Sequence, residues 1–335
     1  MSCFWSCSLL AGQVCLSSAN EQTIGTDQAE TNSVDGRKRT VDSYQQGMGQ
    51  MKAERKFGDV LYLADERVAT IILNRPDRFN AISATMPDDI ADAIAHAEQD
   101  NSVHVIILTG AGKGFCGGYD LYDYAETPGE NPGIQEMPWD PMIDYKFMSH
   151  CTRQFMSIWH CNKPVIAKVH GHAVAGGSDI ALCADIIIMN EEAKIGYPPS
   201  RVWGCPTTAM WVYRLGAEKA KRMLFTGDLV TGKRAEEMGL IYQAVPLDQL
   251  DATVQQLADR IKGVPKNQLM MMKMMVNQAY DNMGLHSTQR IATIFDGITR
   301  HSPEGAWFKE RAEEVGFKQA VRERDSGEPI PGSKN

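Results

Sequence analysis

The chain has 335 residues, 43% of them hydrophobic and 23% charged, which is enough apolar material for a core and rules out a chain disordered throughout. Its 34 basic against 42 acidic side chains give a net charge of −8, and the longest basic run is only Arg37-Lys38-Arg39, so nucleic acid is not an expected partner. No apolar run reaches the roughly 18 residues of a membrane-spanning helix. A soluble protein is expected, of two domains or of one large α/β domain with an appendage.

Residues 1–18 carry no charge and include Leu9-Leu10-Ala11-Gly12, but they lack the basic start and small-x-small site of a secretory signal. The stretch 20–50 is mostly polar, with almost no large apolar side chains. Residues 1–50 therefore read as a disordered tail. The eight cysteines, at 3, 7, 15, 116, 151, 161, 183 and 205, form no Cys-x-x-Cys pair, so no metal is expected. The later ones sit among apolar or small residues, as Cys183 does between Leu182 and Ala184. They read as reduced core thiols in a cytoplasmic protein. The ending Ser333-Lys334-Asn335 is not a peroxisomal address.

The folded body is expected to start near Phe57. Residues 60–63 and 68–73 are β-rich runs around the polar Asp65-Glu66, which predicts a hairpin. Pro76 ends the second strand by removing a ladder donor. From about Pro87, the apolar Met86, Ile90, Ala93, Ile94 and Ala97 share one face of a helix, with Asp88 and Asp89 at its positive end. Residues 103–109, 164–169 and 185–189 are short β-branched runs that read as strands buried on both faces. A short helix is expected at 177–184 between the last two. Alternating strands and helices indicate an α/β core.

Between Asp123 and Tyr145, six Pro and Gly residues mark a loop that suits a lid over a site or a plain surface excursion. After Pro246 the pattern turns helical: Val254, Leu257, Ala258 and Ile261 recur at helical spacing, and residues 268–279 form a Met-rich helix. The methionines suit packing or a subunit interface better than an acyl-binding surface. The expected organisation is a core over 51–250, a helical region over 251–325 and a flexible tail over 326–335.

Residues 110–115 (Gly-Ala-Gly-Lys-Gly-Phe) have neither Rossmann nor P-loop spacing, so a nucleotide-phosphate loop is not expected. Two other glycine turns say more. Phe115-Cys116-Gly117-Gly118-Tyr119-Asp120 and the run from Gly171 to Asp179 each follow a buried strand. Such turns leave backbone N–H groups free to converge on one oxygen, an arrangement that favours glycine. From the glycines alone, two plain tight turns fit equally well.

These turns come with three further motifs. Asn74-Arg75-Pro76 and Asn80-Ala81 precede them, while Leu224-Phe225-Thr226-Gly227-Asp228 and Ala235 followed by Gly239-Leu240-Ile241 come after. Together, over about 57–325, they resemble the crotonase (enoyl-CoA hydratase/isomerase) superfamily. The resemblance implies a spiral of ββα units, a C-terminal helical region that makes homotrimers or homohexamers, and acyl-CoA thioester substrates. It implies no separate cofactor, coenzyme A being part of the substrate. It also implies that the amides of Tyr119 and Gly176 hold the thioester oxygen, with the helix beginning at Gly177 aiming its dipole at the developing enolate. Arg78, Phe79 and Ala81 fall where the family contacts CoA, and Gly118, Asp120, Leu121 and Tyr122 fall in the segment that frames the substrate.

Hydratases of this family carry two glutamates. Here the first position is Asp179, as in the family's dienoyl-CoA isomerase branch, and the second turn reads Gly196-Tyr197-Pro198-Pro199-Ser200-Arg201, without a carboxylate. Asp179 is thus the expected acid/base. As a plain acid in a first helical turn it would instead have its pKa lowered by the dipole. Tyr197, Ser200 and Arg201 occupy the second turn, His170 and His172 flank the oxyanion strand, and Asp123 and Asp140 lie in the lid candidate. Each histidine also reads as a packed imidazole. Ser178 lacks the Gly-x-Ser-x-Gly elbow of a nucleophile. Trp203 and Trp211 are expected to wall an acyl pocket, or to be core. The expected activity is isomerisation or hydration of an enoyl-CoA. A C–C bond hydrolase acting on a β-ketoacyl-CoA and a non-catalytic acyl-CoA-binding protein are the alternatives.

Overall fold

The computed structural model describes residues 55–122, 124, 135 and 138–330. The expected tail over 1–50, the lid candidate Asp123 with most of its loop, and the last five residues lie outside them. In chain order the strands and helices are β1 (Arg55–Phe57), β2 (Val60–Asp65), β3 (Val68–Leu73), α1 (Met86–Gln99), β4 (Val105–Gly110), α2 (Pro141–His160), β5 (Val165–Val169), β6 (His172–Val174), α3 (Gly176–Leu182), β7 (Ile186–Asn190), β8 (Lys194–Gly196), α4 (Met210–Thr226), β9 (Leu229–Thr231), α5 (Gly232–Met238), β10 (Gln243–Val245), α6 (Leu247–Lys262), α7 (Lys266–Asn282), α8 (Leu285–His301), α9 (Pro303–Val315) and α10 (Phe317–Asp325).

The predicted hairpin is β2 against β3, antiparallel from Val60 opposite Leu73 to Asp65 opposite Val68. Val60 and Tyr62 are buried while Leu61 and Leu63 are half-buried, the alternation of a strand with one face inward. The sheet then runs β1-β2-β3-β4-β5-β7-β10, parallel from β3 onward. All six residues of the central β4 are buried, because helices cover both faces of a parallel sheet.

A second, three-stranded sheet has the order β6-β8-β9. The chain therefore climbs as a spiral in which β5 and then β6 are followed by α3, and β7 and then β8 by α4. Each of these two turns gives one strand to each sheet, whereas β2 and β3 both stay in the larger one.

The ends of β2 to β5, β7 and α3 fall within two residues of the sequence reading, whereas the methionine-rich helix runs on to Asn282 and α2 begins at Pro141, inside the expected loop. Pro164 has no N–H to give to the ladder, and the next amide, that of Val165, donates to the Asp185 carboxylate at 2.7 Å, so both strands begin one residue late. Helix α1 buries Met86, Ile90, Ala93, Ile94 and Ala97. Its Asp89 reaches back to accept the Asp59 amide at 2.9 Å.

The C-terminal helices differ in what they bury. Leu250, Val254 and Ala258 of α6 are at most 1% exposed and cover one face of the sheet with Ile107, Ile166 and Ile188. Helix α7 buries only Lys273, whose ammonium pairs with Asp185 at 2.8 Å and donates to the Ile158 and Lys163 carbonyls. Its Met271, Met272, Met274 and Met275 stand out from the chain at 45 to 61% exposure. The methionines therefore do not pack within the chain, because Lys273 takes the inward face. Helix α8 lies against α2. Phe308 of α9 and Phe317 of α10 form a separate small core with Val202.

Candidate active site

The site is assembled from the two glycine turns. Asn80, fully buried, accepts the Arg75 amide at 2.8 Å and donates to the carbonyls of Ala111 and Gly114 at 2.8 and 2.9 Å. That is the structural work of the Asn74-to-Ala81 motif, and it holds the 110–115 loop that the sequence leaves without a ligand role. Arg75 then pairs with Asp120 at 3.0 Å and donates to the Ala81 carbonyl at 2.6 Å. Asp120, 5% exposed, anchors the turn through Arg75 and Arg78.

At the turn itself Gly118 has φ +95°, and a Cβ placed there would stand 2.9 Å from Ala175 Cβ and 3.5 Å from the Gly176 amide nitrogen. The two turns therefore touch, and this contact requires a glycine. Ala175 is held at φ 52°, ψ −127°, a conformation that costs a residue with a side chain about 1–3 kcal/mol. This kink opens α3 with the Gly176 amide toward the cavity. Among the described residues neither the Tyr119 nor the Gly176 amide has an acceptor. Both residues line a cavity of about 230 Å³.

Tyr197, Trp203, Asp296 and Arg300 are among the other cavity walls. The Tyr197 hydroxyl donates to the Cys205 carbonyl at 3.0 Å. Burial pushes its pKa well up, so it stays a phenol. Trp203 is held at φ 83°, an outlier for a bulky side chain, and packs on the rings of Phe308 and Phe317. Leu121 also lines the cavity.

Asp179 sits one turn into α3, 3% exposed. The Thr208 hydroxyl donates to its Oδ1 at 2.6 Å, and Oδ2 has no hydrogen-bond partner among the described residues. Burial raises its pKa to about 8, against the opposing Thr208 hydrogen bond and with a smaller push from Asp296. The sequence reading of a dipole-lowered acid is thus reversed. Desolvation in a dry pocket outweighs the field of a seven-residue helix.

On the opposite wall α8 presents Asp296, whose Oδ1 accepts the Cys205 amide at 2.9 Å and whose Oδ2 is paired with Arg300. Arg300 also pairs with Asp144 at 2.7 Å. The Trp139 indole and the Gln135 amide donate to Asp144 at 2.6 Å, and His301 lies 3.1 Å from it. This network ties the start of α2 to the end of α8.

The remaining sequence candidates fall outside the cavity. Arg78, Phe79 and Ala81 lie on the rim, where the Phe79 carbonyl accepts the Gly117 amide at 3.0 Å. Arg78 and Phe79 are more than half exposed, and Tyr122 lies under the Arg78 guanidinium. A Cβ on Gly177 would collide with the Cys116 carbonyl at 2.3 Å, so this glycine serves packing. Ser200 donates to the Tyr197 carbonyl within its own turn, and Arg201 to the carbonyls of Arg324 and Glu328. His170 is buried beside the Gly112 carbonyl at 3.0 Å with its pKa pushed down to about 4 by desolvation, and His172 stacks edge-on with Phe79. Asp140 caps α2 through the Met142 amide. The Ser178 hydroxyl donates to the Ala175 carbonyl. Trp211, fully buried, is core and not pocket wall. Thr208, Asp296, Arg300 and Asp144 went unread because they act across more than twenty residues of sequence, with no local spacing to mark them.

Two sheets in a ββα spiral, glycine turns that meet at a cavity and a helical C-terminal wall are the architecture of a class of acyl-CoA enzymes. The sequence profile of the enoyl-CoA hydratase/isomerase family matches residues 64–315, and the chain belongs to that enzyme family. A putative enoyl-CoA hydratase of Thermus thermophilus is 31% identical over 70% of this chain and 90% of its own length. The 1,2-epoxyphenylacetyl-CoA isomerase of Escherichia coli is 31% identical over 67% of this chain and 83% of its own. Among solved structures, an enoyl-CoA hydratase from Mycobacterium smegmatis has a TM-score of 0.75 and 47% identity, covering 80% of this chain and 93% of that one.

Proposed function

We propose that the protein acts on an enoyl-CoA thioester, with Asp179 carrying the proton at Cα while the amides of Tyr119 and Gly176 hold the thioester oxygen as an oxyanion hole. One observation carries the reading: Tyr119 and Gly176, whose amides have no acceptor among the described residues, line one cavity, and one turn further along the helix that Gly176 opens lies a buried carboxylic acid with its pKa raised to about 8. A neutral acid at this pKa gives up or regains a proton near neutral pH at little cost. Two fixed donors stabilise the enolate more than the starting thioester, and so lower the barrier.

Coenzyme A enters as part of the substrate, over the rim of Arg78, Phe79 and Ala81. The exposed faces of α7 and α8, with Met271, Met275, Ile291 and Phe295, suit burial between copies in a homotrimer or a stacked homohexamer.

The test is proton NMR in heavy water with a panel of enoyl-, dienoyl- and β-ketoacyl-CoA esters, comparing the wild type with Asp179→Asn. Deuterium uptake at Cα that depends on Asp179 is the expected result. A cleaved acid as the product would point instead to C–C hydrolysis. CoA binding without uptake or turnover would refute catalysis on these esters.

A further inference from the structure

We propose that Asp296 is the second carboxylate of the site, taking from α8 the role that the Tyr197-to-Arg201 turn leaves empty, and that it acts as the base for the water that adds to Cβ. This rests on the enoyl-CoA reading above and selects hydration within it. Asp296 lines the cavity at 3% exposure. It is held in place by the Cys205 amide and paired with Arg300, which Asp144 in turn fixes from α2.

Its position relative to Asp179 follows from one short segment. Thr208 donates to Asp179, and Cys205, three residues earlier, donates to Asp296. Three residues span at most about 11 Å, so one short segment carries the hydrogen bonds to both carboxyl groups. Helix α8 clamps the same segment twice, since Gln289, two turns before Asp296, donates to the Thr208 carbonyl at 3.0 Å. The two acids also feel each other, as Asp296 adds to the upward push on Asp179. Asp296 in the cavity wall, paired with Arg300, and Asp179, one turn behind the Gly176 amide and bonded to a hydroxyl, thus give the site the two carboxyl groups that hydration needs.

In the step, Asp296 takes a proton from water as the water oxygen bonds to Cβ. The π pair moves onto the thioester oxygen, at the amides of Tyr119 and Gly176. The enolate then collapses and Cα takes the proton of Asp179, giving a 3-hydroxyacyl-CoA. Afterwards Asp296 loses its proton to solvent and Asp179 regains one.

The experiment compares the wild type with Asp296→Asn and Asp296→Ser, both of which leave Arg300 paired with the buried Asp144. Three quantities are measured with one short-chain enoyl-CoA and its saturated acyl-CoA: hydration rate, deuterium exchange at Cα, and CoA binding. Hydration is expected to fall at least ~100-fold in both variants, with Cα exchange within about threefold of the wild type. Hydration that persists, or hydration and exchange that fall together in both variants, would overturn the role of Asp296. Wild-type protein with no Asp179-dependent exchange would remove the enoyl-CoA reading itself.

Discussion

Replacing Asp179 with Asn is expected to abolish turnover and at the same time stabilise the protein, by an amount that grows with pH. The native acid titrates near 8, against an ordinary value of 3.8. Between these two values the unfolded chain releases a proton that the folded chain keeps, so ionisation favours unfolding. The acid's contribution to stability is complete below about pH 4, is lost steadily as pH rises, and reaches its floor above about pH 8. At pH 7 the loss is ~4 kcal/mol, from 1.36 kcal/mol per pH unit over about three units.

Asn keeps the acceptor for the Thr208 hydroxyl and never ionises. Its added NH₂ needs a partner, at a cost of about 1–3 kcal/mol. Net stabilisation of ~1–3 kcal/mol at pH 7 corresponds to a Tm rise of roughly 2–5 °C at this chain length. The assay is thermal unfolding of both proteins at half-unit steps from pH 4.5 to 8.5. The difference in Tm should rise with pH and level off near 8, other titrations cancelling between the two proteins. A difference independent of pH would show that Asp179 titrates alike in the folded and unfolded states, and the buried neutral acid would be wrong.

Further outcomes follow from the same geometry. Hydration, which uses neutral Asp179, should be flat below about pH 8 and fall tenfold per unit above it, whereas abstraction at Cα should rise through the same midpoint; pH–rate profiles in the two directions check this. Thr208→Val removes a hydrogen bond that lowers the Asp179 pKa, so the midpoint should move upward and the rate of Cα exchange at pH 7 should fall. Gly176→Ala places a Cβ 2.7 Å from Ile82 Cδ1 and 2.9 Å from the Tyr119 ring. Displacing one oxyanion donor in this way should reduce kcat by ~100-fold or more with far-ultraviolet circular dichroism unchanged. Lys273→Met leaves the Asp185 carboxylate buried without its partner and should cost ~3 kcal/mol in chemical denaturation.

The spiral core was legible because its signals are local. The β-branched runs that became β4, β5 and β7 are short and apolar between glycine, proline or aspartate. The glycine turns announce themselves by what only glycine tolerates, as at Gly118. Asp179 was legible from its place after Gly176-Gly177-Ser178, but the direction of its pKa shift was not. That sign depends on how much of the chain folds over it, including Thr208 from 29 positions away. Asp296 and Arg300 sit in an ordinary amphipathic helix, where an acid and a base four residues apart read as a solvated pair. Only the packing of α8 against α2 turns them inward. Between packing and a subunit interface, the methionines of α7 could not be assigned from sequence, because helical spacing alone cannot say which side of a helix faces its own chain, and Lys273 takes that side.

The wall formed by α8 to α10 has a consequence for synthesis. The turns that carry Tyr119 and Asp179 leave the ribosome well before Asp296, Arg300, Phe317 and Arg324, and domains fold as the chain emerges. Until those last helices dock, the cavity that Tyr119 and Gly176 line lacks the wall of Asp296, Arg300 and Phe317. A nascent chain can therefore build its strands and both glycine turns before it has an enclosed site.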